Sequence, residues 1–356
     1  MNHSSKNQKK EKPVQSGLIA LIYDEPVPLA ITEATPFPQD ATAEWETRET
    51  VLRIQSTWEK LGFKTVLLPL DQQFFHQWAA LRSQITLVHT VVEGWGSASR
   101  EGWIPSLCEL SGVPFIGAGP TAQNIAMKKS LLKLVCTSLR IPTPEFYLIR
   151  HASELQQISE IFFTHKHFIK PDAEGSGMGI DGAHSISDSR TQTEHTVASL
   201  LSQYPDGVLI EKYLPGREFT SAQIGKDRTF LPVAEVEVES GVYGLANKSK
   251  EVMGEKISFP ALPGPVLDVI QQGTLRLSNY LGFYDFVRMD WKMNDSGEVF
   301  FLEANPLAGL SYYYSVLPKM AEAAGFSYAQ LLGLLAESAL TRSQDRSLWY
   351  GKARLH

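Results

Sequence analysis

Asp285 to Ser311, DFVRMDWKMNDSGEVFFLEANPLAGLS, reads as two short strands joined by a turn. In the first, Val287, Met289, Trp291 and Met293 alternate with Phe286, Arg288, Asp290 and Lys292, which predicts one apolar face and one charged face. Asn294 to Gly297 supply the turn. In the second, Val299, Phe301, Glu303 and Asn305 fall two apart and are expected on one face. A hairpin closed about Asp295 and Ser296 sets Arg288 opposite Glu303, with Asp290 on the neighbouring diagonal and Asn305 beyond. Two carboxylates, an amide and a guanidinium on one face suit Mg²⁺ held jointly with substrate phosphates, because that ion takes hard oxygen ligands. An exposed face with a salt bridge is the plain alternative. The loop NPLAGLS weighs against it, since Gly309 lets a backbone N–H approach a ligand closely.

With 356 residues, 43% of them hydrophobic, the chain can bury a large core in two or three domains. A net charge of −6 argues against a general nucleic-acid binder, which needs cations to neutralise phosphates. Cys108 and Cys136, the only cysteines, have no metal or redox spacing, which suits a reducing cytoplasm. No apolar run reaches membrane-span length, and none near the N-terminus has the form of a signal peptide.

Residues 1–16 read as a disordered basic tail. From 17 to 120 strands alternate with helices: GLIALIY, a helix over about Ala43–Leu61, then a strand at Phe63–Leu70. A helix at Asp71–Arg82, strands at Ile85–Val92 and Val113–Ile116, and a helix between them complete a doubly wound parallel sheet. From Thr121 one long helix, TAQNIAMKKSLLKLVCTSL, opens a small α+β unit over 121–213 with strands at Phe146–Ile149, His167–Lys170 and Val208–Tyr213. A larger α+β unit, 214–340, holds a strand at Glu218–Ile224, a helix at Val266–Leu281, the hairpin, and a last helix capped by Ser327 with Gln330. Residues 341–356 read as a loose polar tail.

Gly175-Ser176-Gly177-Met178-Gly179 is not a dinucleotide fingerprint, because it lies mid-chain and runs into poor helix sequence. It suits a flap laying N–H groups over a triphosphate, or a plain hairpin tip. Lys170, ending the apolar strand HFIKP just before it, can set an ammonium against the same phosphates. Lys129 offers a second cation. Glu211 and Glu218 flank YLPGR, where backbone can meet an adenine edge and Glu218 the ribose hydroxyls.

Six segments, IGAGPTAQNIAMKKSLLK, FIKPDAEGSGMGI, GVLIEKYLPGREFT, VRMD, FLEANPLAGLS and LPKMAEAAGFSYAQLL, together resemble the ATP-grasp superfamily in its D-alanine–D-alanine ligase-like branch. Their order and spacing hold across roughly residues 85–336. The resemblance implies an ATP-grasp α/β architecture, with the central unit as lid. It implies that Lys129 and Lys170 hold ATP phosphates beneath a flap of Glu174, Gly175, Ser176 and Gly177, with Lys248 a weaker third. Glu211, Tyr213, Leu214 and Glu218 match adenine and ribose contacts. Asp290, Glu303 and Asn305 match ligands of two Mg²⁺ ions, with Mn²⁺ as an alternative. Arg288, the Gly309 backbone and Ser176 match groups around the transferring phosphate. The implied reaction activates a carboxylate as an acyl phosphate, which an amine then attacks.

The sequence also departs from that branch. YDEPVPLAITEATPF stands where a glycine-rich turn and Ser-x-Glu bind the donor's amino group, although Asp24 or Glu25 could substitute by position. VVEGWGSASREGW, after His89, resembles divergent amino-acid and peptide ligases, in which Glu93 and Arg100 would touch substrate. Tyr312, Tyr313 and Tyr314 precede Ser315, a candidate for the acceptor's carboxylate; the tyrosines either line that pocket or pack beneath the last helix. The leading expectation is therefore a cytoplasmic ATP- and Mg²⁺-dependent ligase of a small carboxylate donor and amine acceptor, monomeric or homodimeric. The alternatives are D-alanyl-D-alanine synthesis itself and a silent ATP-binding protein.

Overall fold

The computed structural model describes residues 17–25, 42–182, 184–238 and 255–353. Residues 1–16 and Lys248 lie outside them.

The first unit is a parallel sheet of β1 (Leu18–Tyr23), β2 (Lys64–Pro69) and β3 (Ile85–Val91) in the order β2-β1-β3. The expected fourth strand contracts to a parallel bridge, Val88 with Phe115. Helix α1 (Arg48–Lys60) begins five residues later than its periodicity predicts, because the Thr47 side chain accepts the Thr50 N–H and caps it there. Residues 43–47 are thereby left as a lead-in outside the helix, bent where the Trp45 N–H donates to the Thr42 carbonyl (3.1 Å). Helices α2 (Phe74–Leu81) and α3 (Trp103–Ser111) complete the layers.

The single long helix expected from Thr121 is two: α4 (Pro120–Met127) and α5 (Lys129–Ser138), broken at Lys128, whose ψ is 96°. Asp172 imposes the break. Its carbonyl accepts the Lys129 N–H (3.0 Å), and its carboxylate accepts the Ser130 N–H (2.7 Å) and hydroxyl (2.9 Å). Both helices pack into the core of the last sheet, with Ala122, Leu132 and Cys136 against Phe219, Ile270 and Trp291, and α5 also reaches the central sheet where Lys133 pairs with Glu211 of the strand 208–212.

The central sheet has β4 (Phe146–Ile149), β5 (His167–Pro171), β6 (Ile186–Ser187) and β7 (Val208–Lys212) in the antiparallel order β4-β7-β5-β6. Helices α6 (Glu160–Phe163) and α7 (Arg190–Gln203) belong to the same unit.

The last sheet joins β8 (Glu218–Ile224), β9 (Thr229–Phe230), β10 (Ala234–Val238), β11 (Glu255–Ser258), β12 (Phe286–Met293) and β13 (Val299–Asn305), in the order β11-β10-β8-β12-β13 with β9 on β8. Helices α8 (Gly264–Leu281), α9 (Val316–Ala323) and α10 (Tyr328–Ala353) flank it. Ser327 and Gln330 cap α10 reciprocally, and that helix continues through residues expected to be a loose tail. Leu331, Leu335 and Ala339 of α10 join Val51 and Ile54 of α1 in one core, so the first and last units share their packing.

The hairpin itself departs from its expected register. Arg288 lies opposite Asn305 and Asp290 opposite Glu303, whereas beyond a bulge Trp291 pairs Phe301 and Met293 pairs Val299. The turn is wider than predicted: Asn294 Oδ1 accepts the N–H groups of Ser296 and Glu298. Leu302 is the extra residue, and it changes which face the strand presents. Val299 and Phe301 stay in the core with Trp291, while Glu303 and Asn305 line a cleft; the four do not share one face.

Candidate active site

The cleft lies between the central and last sheets, a cavity of about 450 Å³ roofed by the glycine loop after β5 and closed at one end by the lead-in to α1. Phe168, Met178, Leu214, Val236 and Leu302 give it apolar walls.

Its acidic floor is the bulged hairpin. Thr220 Oγ1 donates to Asp290 Oδ1 (2.8 Å), while Arg288 Nη2 (2.9 Å) and Asn305 Nδ2 (3.0 Å) donate to Oδ2. Burial pushes the Asp290 carboxyl up, Arg288 opposes this, and the facing Glu303 adds to it. Burial would raise Glu303 as well, but Lys129, Lys170 and Arg288 hold it below its ordinary value. Two carboxylates facing one another across paired strands repel unless a cation lies between them. Among the described residues no three His, Cys, Asp or Glu side chains gather as a metal site. Asp290, Glu303 and the Asn305 amide are hard oxygen donors lining one cleft, a set that could hold an ion completing its shell with substrate phosphate oxygens, as Mg²⁺ does.

Above that floor sit the cations. Lys129 Nζ is 3.8 Å from Glu303 Oε2 and donates to the Glu174 carbonyl. The break at Lys128 aims it there, since Asp172 pins the start of α5 to the end of the strand that carries Lys170. Lys170 Nζ is 2.6 Å from Glu211 Oε1, and the fully buried Lys133 is 2.7 Å from Oε2. Burial would raise Glu211, yet the two ammonium groups hold it down to about 2. Glu211 thus spends its carboxylate on two lysines. Tyr213 and Leu214 line the cleft just past β7, and Glu218 does so while paired with Lys292 at 2.8 Å.

In the roof, Ser176 (φ 55°) and Gly177 (φ 74°) take left-handed backbone in succession, a turn strained at the serine. Glu174 sits at the start of this turn, pushed up to about 7 by burial, with Arg100 pulling down and Glu44 pushing further up.

At the far end the residues expected to touch substrate divide. Glu93, Gly309 and Ser315 line the cleft, and Ser315 Oγ accepts the Ser311 N–H at 3.1 Å. Arg100 does not line it. Only 1% of its side chain is exposed, and it is tied to Glu44 (2.7 Å) and Glu174 (2.9 Å) behind the roof. Asp24 is likewise engaged, accepting the N–H groups of Glu93 (2.7 Å) and Gly94 (3.3 Å). Tyr313 and Tyr314 line the cleft, whereas Tyr312 meets Tyr328 of α10 edge-on at 5.5 Å. Sequence reasoning missed Glu44, Glu46, Thr220 and Lys133. For Lys133 a signal existed: with Lys129 and Cys136 it falls on the buried stripe of α5.

A Cβ on Gly309 would lie 2.8 Å from Ser315 Oγ and 3.4 Å from Glu46 Oε1. Gly309→Ala should therefore displace this loop and lower kcat by about tenfold or more, whereas steady-state rates equal to wild type would show the approach is not needed.

Comparison with known proteins agrees with this geometry. The family described as D-ala D-ala ligase C-terminus matches residues 135–337. The vancomycin/teicoplanin A-type resistance protein VanA of Enterococcus faecium is 31% identical over 252 residues, 69% of this chain and 71% of that protein. The D-alanine–D-alanine ligase of Bordetella avium is 30% identical over 247 residues, 68% and 76% of the two chains. Among solved structures, the D-alanine–D-alanine ligase of Bacillus anthracis complexed with ATP superposes with a TM-score of 0.72 at 19% identity, covering 93% of this chain and all of that one. The Vibrio cholerae D-alanyl-alanine synthetase A gives 0.73 at 17%, covering 92% and 99%. Sheet order, cleft and relatives converge on one conclusion: the chain belongs to the D-alanine–D-alanine ligase family of the ATP-grasp fold, and it is an ATP-dependent, ADP-forming carbon–nitrogen ligase.

Proposed function

We propose that this ligase joins the carboxylate of a small amino acid or short peptide to an amine through an acyl phosphate. The observation that carries the reading is Asp290 facing Glu303 across the hairpin with Lys129 and Lys170 above them. In this reading the purine lies between the apolar walls, its edge against Tyr213 and Leu214 and its ribose at Glu218. Lys129 and Lys170 grip the phosphates, and N–H groups of the 174–177 turn cover them. Two Mg²⁺ ions on Asp290, Glu303 and Asn305, replaceable by Mn²⁺, would neutralise charge on the γ-phosphoryl group in flight. Arg288 and the Gly309 N–H stabilise the charge that develops as the donor carboxylate attacks. The acceptor amine then attacks the acyl carbon and phosphate leaves. The roof excludes water until that step is complete.

Lys170→Ala should raise the KM for ATP at least about tenfold, through loss of a buried charge-assisted contact; an unchanged KM would remove Lys170 from the phosphates.

The departures at Asp24, Glu93 and Arg100 lead us to infer that D-alanine is not the preferred donor. A panel of amino acids and dipeptides, followed by ADP release and mass detection of products, decides the pair. Rapid turnover with D-alanine alone would restore the activity for which the relatives are named. Absence of ADP release with every pair would favour a silent ATP-binding protein. No helix among the described residues is long and apolar enough to cross a membrane. We place the enzyme in the cytoplasm, with its ATP.

A further inference from the structure

The segment leading into α1 touches three walls of the cleft within three residues. Glu44 pairs with Arg100, and a Cβ on Gly175 would collide with Glu44 Oε1, so this carboxylate lies directly on the roof. Trp45 Nε1 donates to the Gly94 carbonyl at 3.2 Å. Glu46 Oε2 accepts the Tyr314 hydroxyl at 2.6 Å. Arg100 joins this strap to the roof from behind: Nη2 reaches both Glu44 (2.7 Å) and Glu174 (2.9 Å), and Nη1 donates to the carbonyls of Ala173 (3.0 Å) and Ser97 (3.3 Å). Its seat is fixed as well, since Gly94 lies close against its Cβ and Gly102, two residues on, abuts Asn124 with no room for a side chain.

One guanidinium therefore holds together two carboxylates that belong to separate segments, the lead-in to α1 and the roof. Without it, Glu44 and Glu174 would face each other across a dry gap and repel. We propose that Arg100 is a positioning residue that makes closure of the roof over nucleotide and closure of the strap over the amine-side pocket a single event. This rests on the roof covering nucleotide, as read above. Its consequence is order: nucleotide seated under 174–177 draws Glu44 in, and Glu46 with it, so the tyrosine end of the cleft is completed before an acyl phosphate forms. Coupling of this kind needs an element with two arrangements that both sites bias, here the strap with its salt link made or broken.

Hydrogen exchange followed by mass spectrometry tests it on the full chain with ADP and Mg²⁺ as the probe. In the wild type, amides of 174–180 and of 42–47 should slow together, each by about tenfold. In Arg100→Ala, 174–180 should still slow and 42–47 should not, with exchange in α1 unchanged; Arg100→Lys should restore part of the effect. Glu44→Gln, nearly isosteric, should reproduce the uncoupling and decides the matter if Arg100→Ala does not fold. Protection of 42–47 that persists in both variants overturns the proposal while leaving the nucleotide site intact. Absence of protection at 174–180 in the wild type overturns the nucleotide reading and this inference with it.

Discussion

Glu303→Gln is expected to lower kcat by about 10²–10³-fold while changing the KM for ATP far less. The substitution is isosteric, so the bulge that aims the side chain into the cleft persists and only the charge is lost. That charge matters most when negative density gathers on the transferring phosphoryl group and the ions must be held against it. Lys129, Lys170 and Arg288 keep Glu303 ionised in the resting protein, so its ligand form is present throughout the neutral range. Folding should lose some stability, because the cations that hold Glu303 below its ordinary value lose their counter-charge, while relief of its repulsion with Asp290 offsets part of that loss. Steady-state kinetics together with a melting curve separate the two effects. A variant with near wild-type turnover would move the metal site off the hairpin. A large fall in melting temperature would instead make Glu303 a structural residue.

That this residue faces the cleft at all shows where the sequence was legible and where it was not. Alternation in β12 predicts its two faces, because a strand's side-chain period is a local property. The bulge at Leu302 is invisible to periodicity, which says nothing about where one strand takes an extra residue, and the register of Asp290 against Glu303 follows from it. The same contrast separates a helix end that is read correctly from a helix break that is not. Ser327 and Gln330 cap α10 through contacts three residues apart and can be read directly, whereas the break at Lys128 is imposed by Asp172 from far along the chain. Residues 120–133 are good helix sequence, so nothing local marks the break. Lys129 and Lys170 could be picked out as cations near a glycine loop. That Arg100 would turn away from the cleft to clasp Glu44 and Glu174 depends on long-range packing, for which a charged residue after Ser99 carries no signal.

Glu211→Gln should produce the largest stability loss of the substitutions considered, about 3–5 kcal/mol at neutral pH, because it leaves buried cations without their counter-charge. The carboxylate is shared by Lys170 and by Lys133, whose side chain is fully buried and whose other contact is the Thr143 hydroxyl at 3.0 Å. The pH dependence carries the diagnosis. Glu211 is held to about 2 in the fold against 4.5 in a free chain, so its contribution is complete above pH 4.5 and disappears as pH falls from 4.5 towards 2. The stability difference between wild type and variant should therefore shrink across that window and stay flat above it until Lys133 responds. Burial already lowers the Lys133 pKa below 10.5, and without Glu211 it falls further. A lysine depressed in the fold binds fewer protons there than in the unfolded chain, so the variant should regain stability as pH rises towards 10.5. Urea titrations at a series of pH values read both limbs. A variant as stable as wild type at pH 7, or a difference independent of pH below 4.5, would mean the two lysines do not depend on Glu211. The pairing would then be no reason for Lys170 to stand ready at the nucleotide.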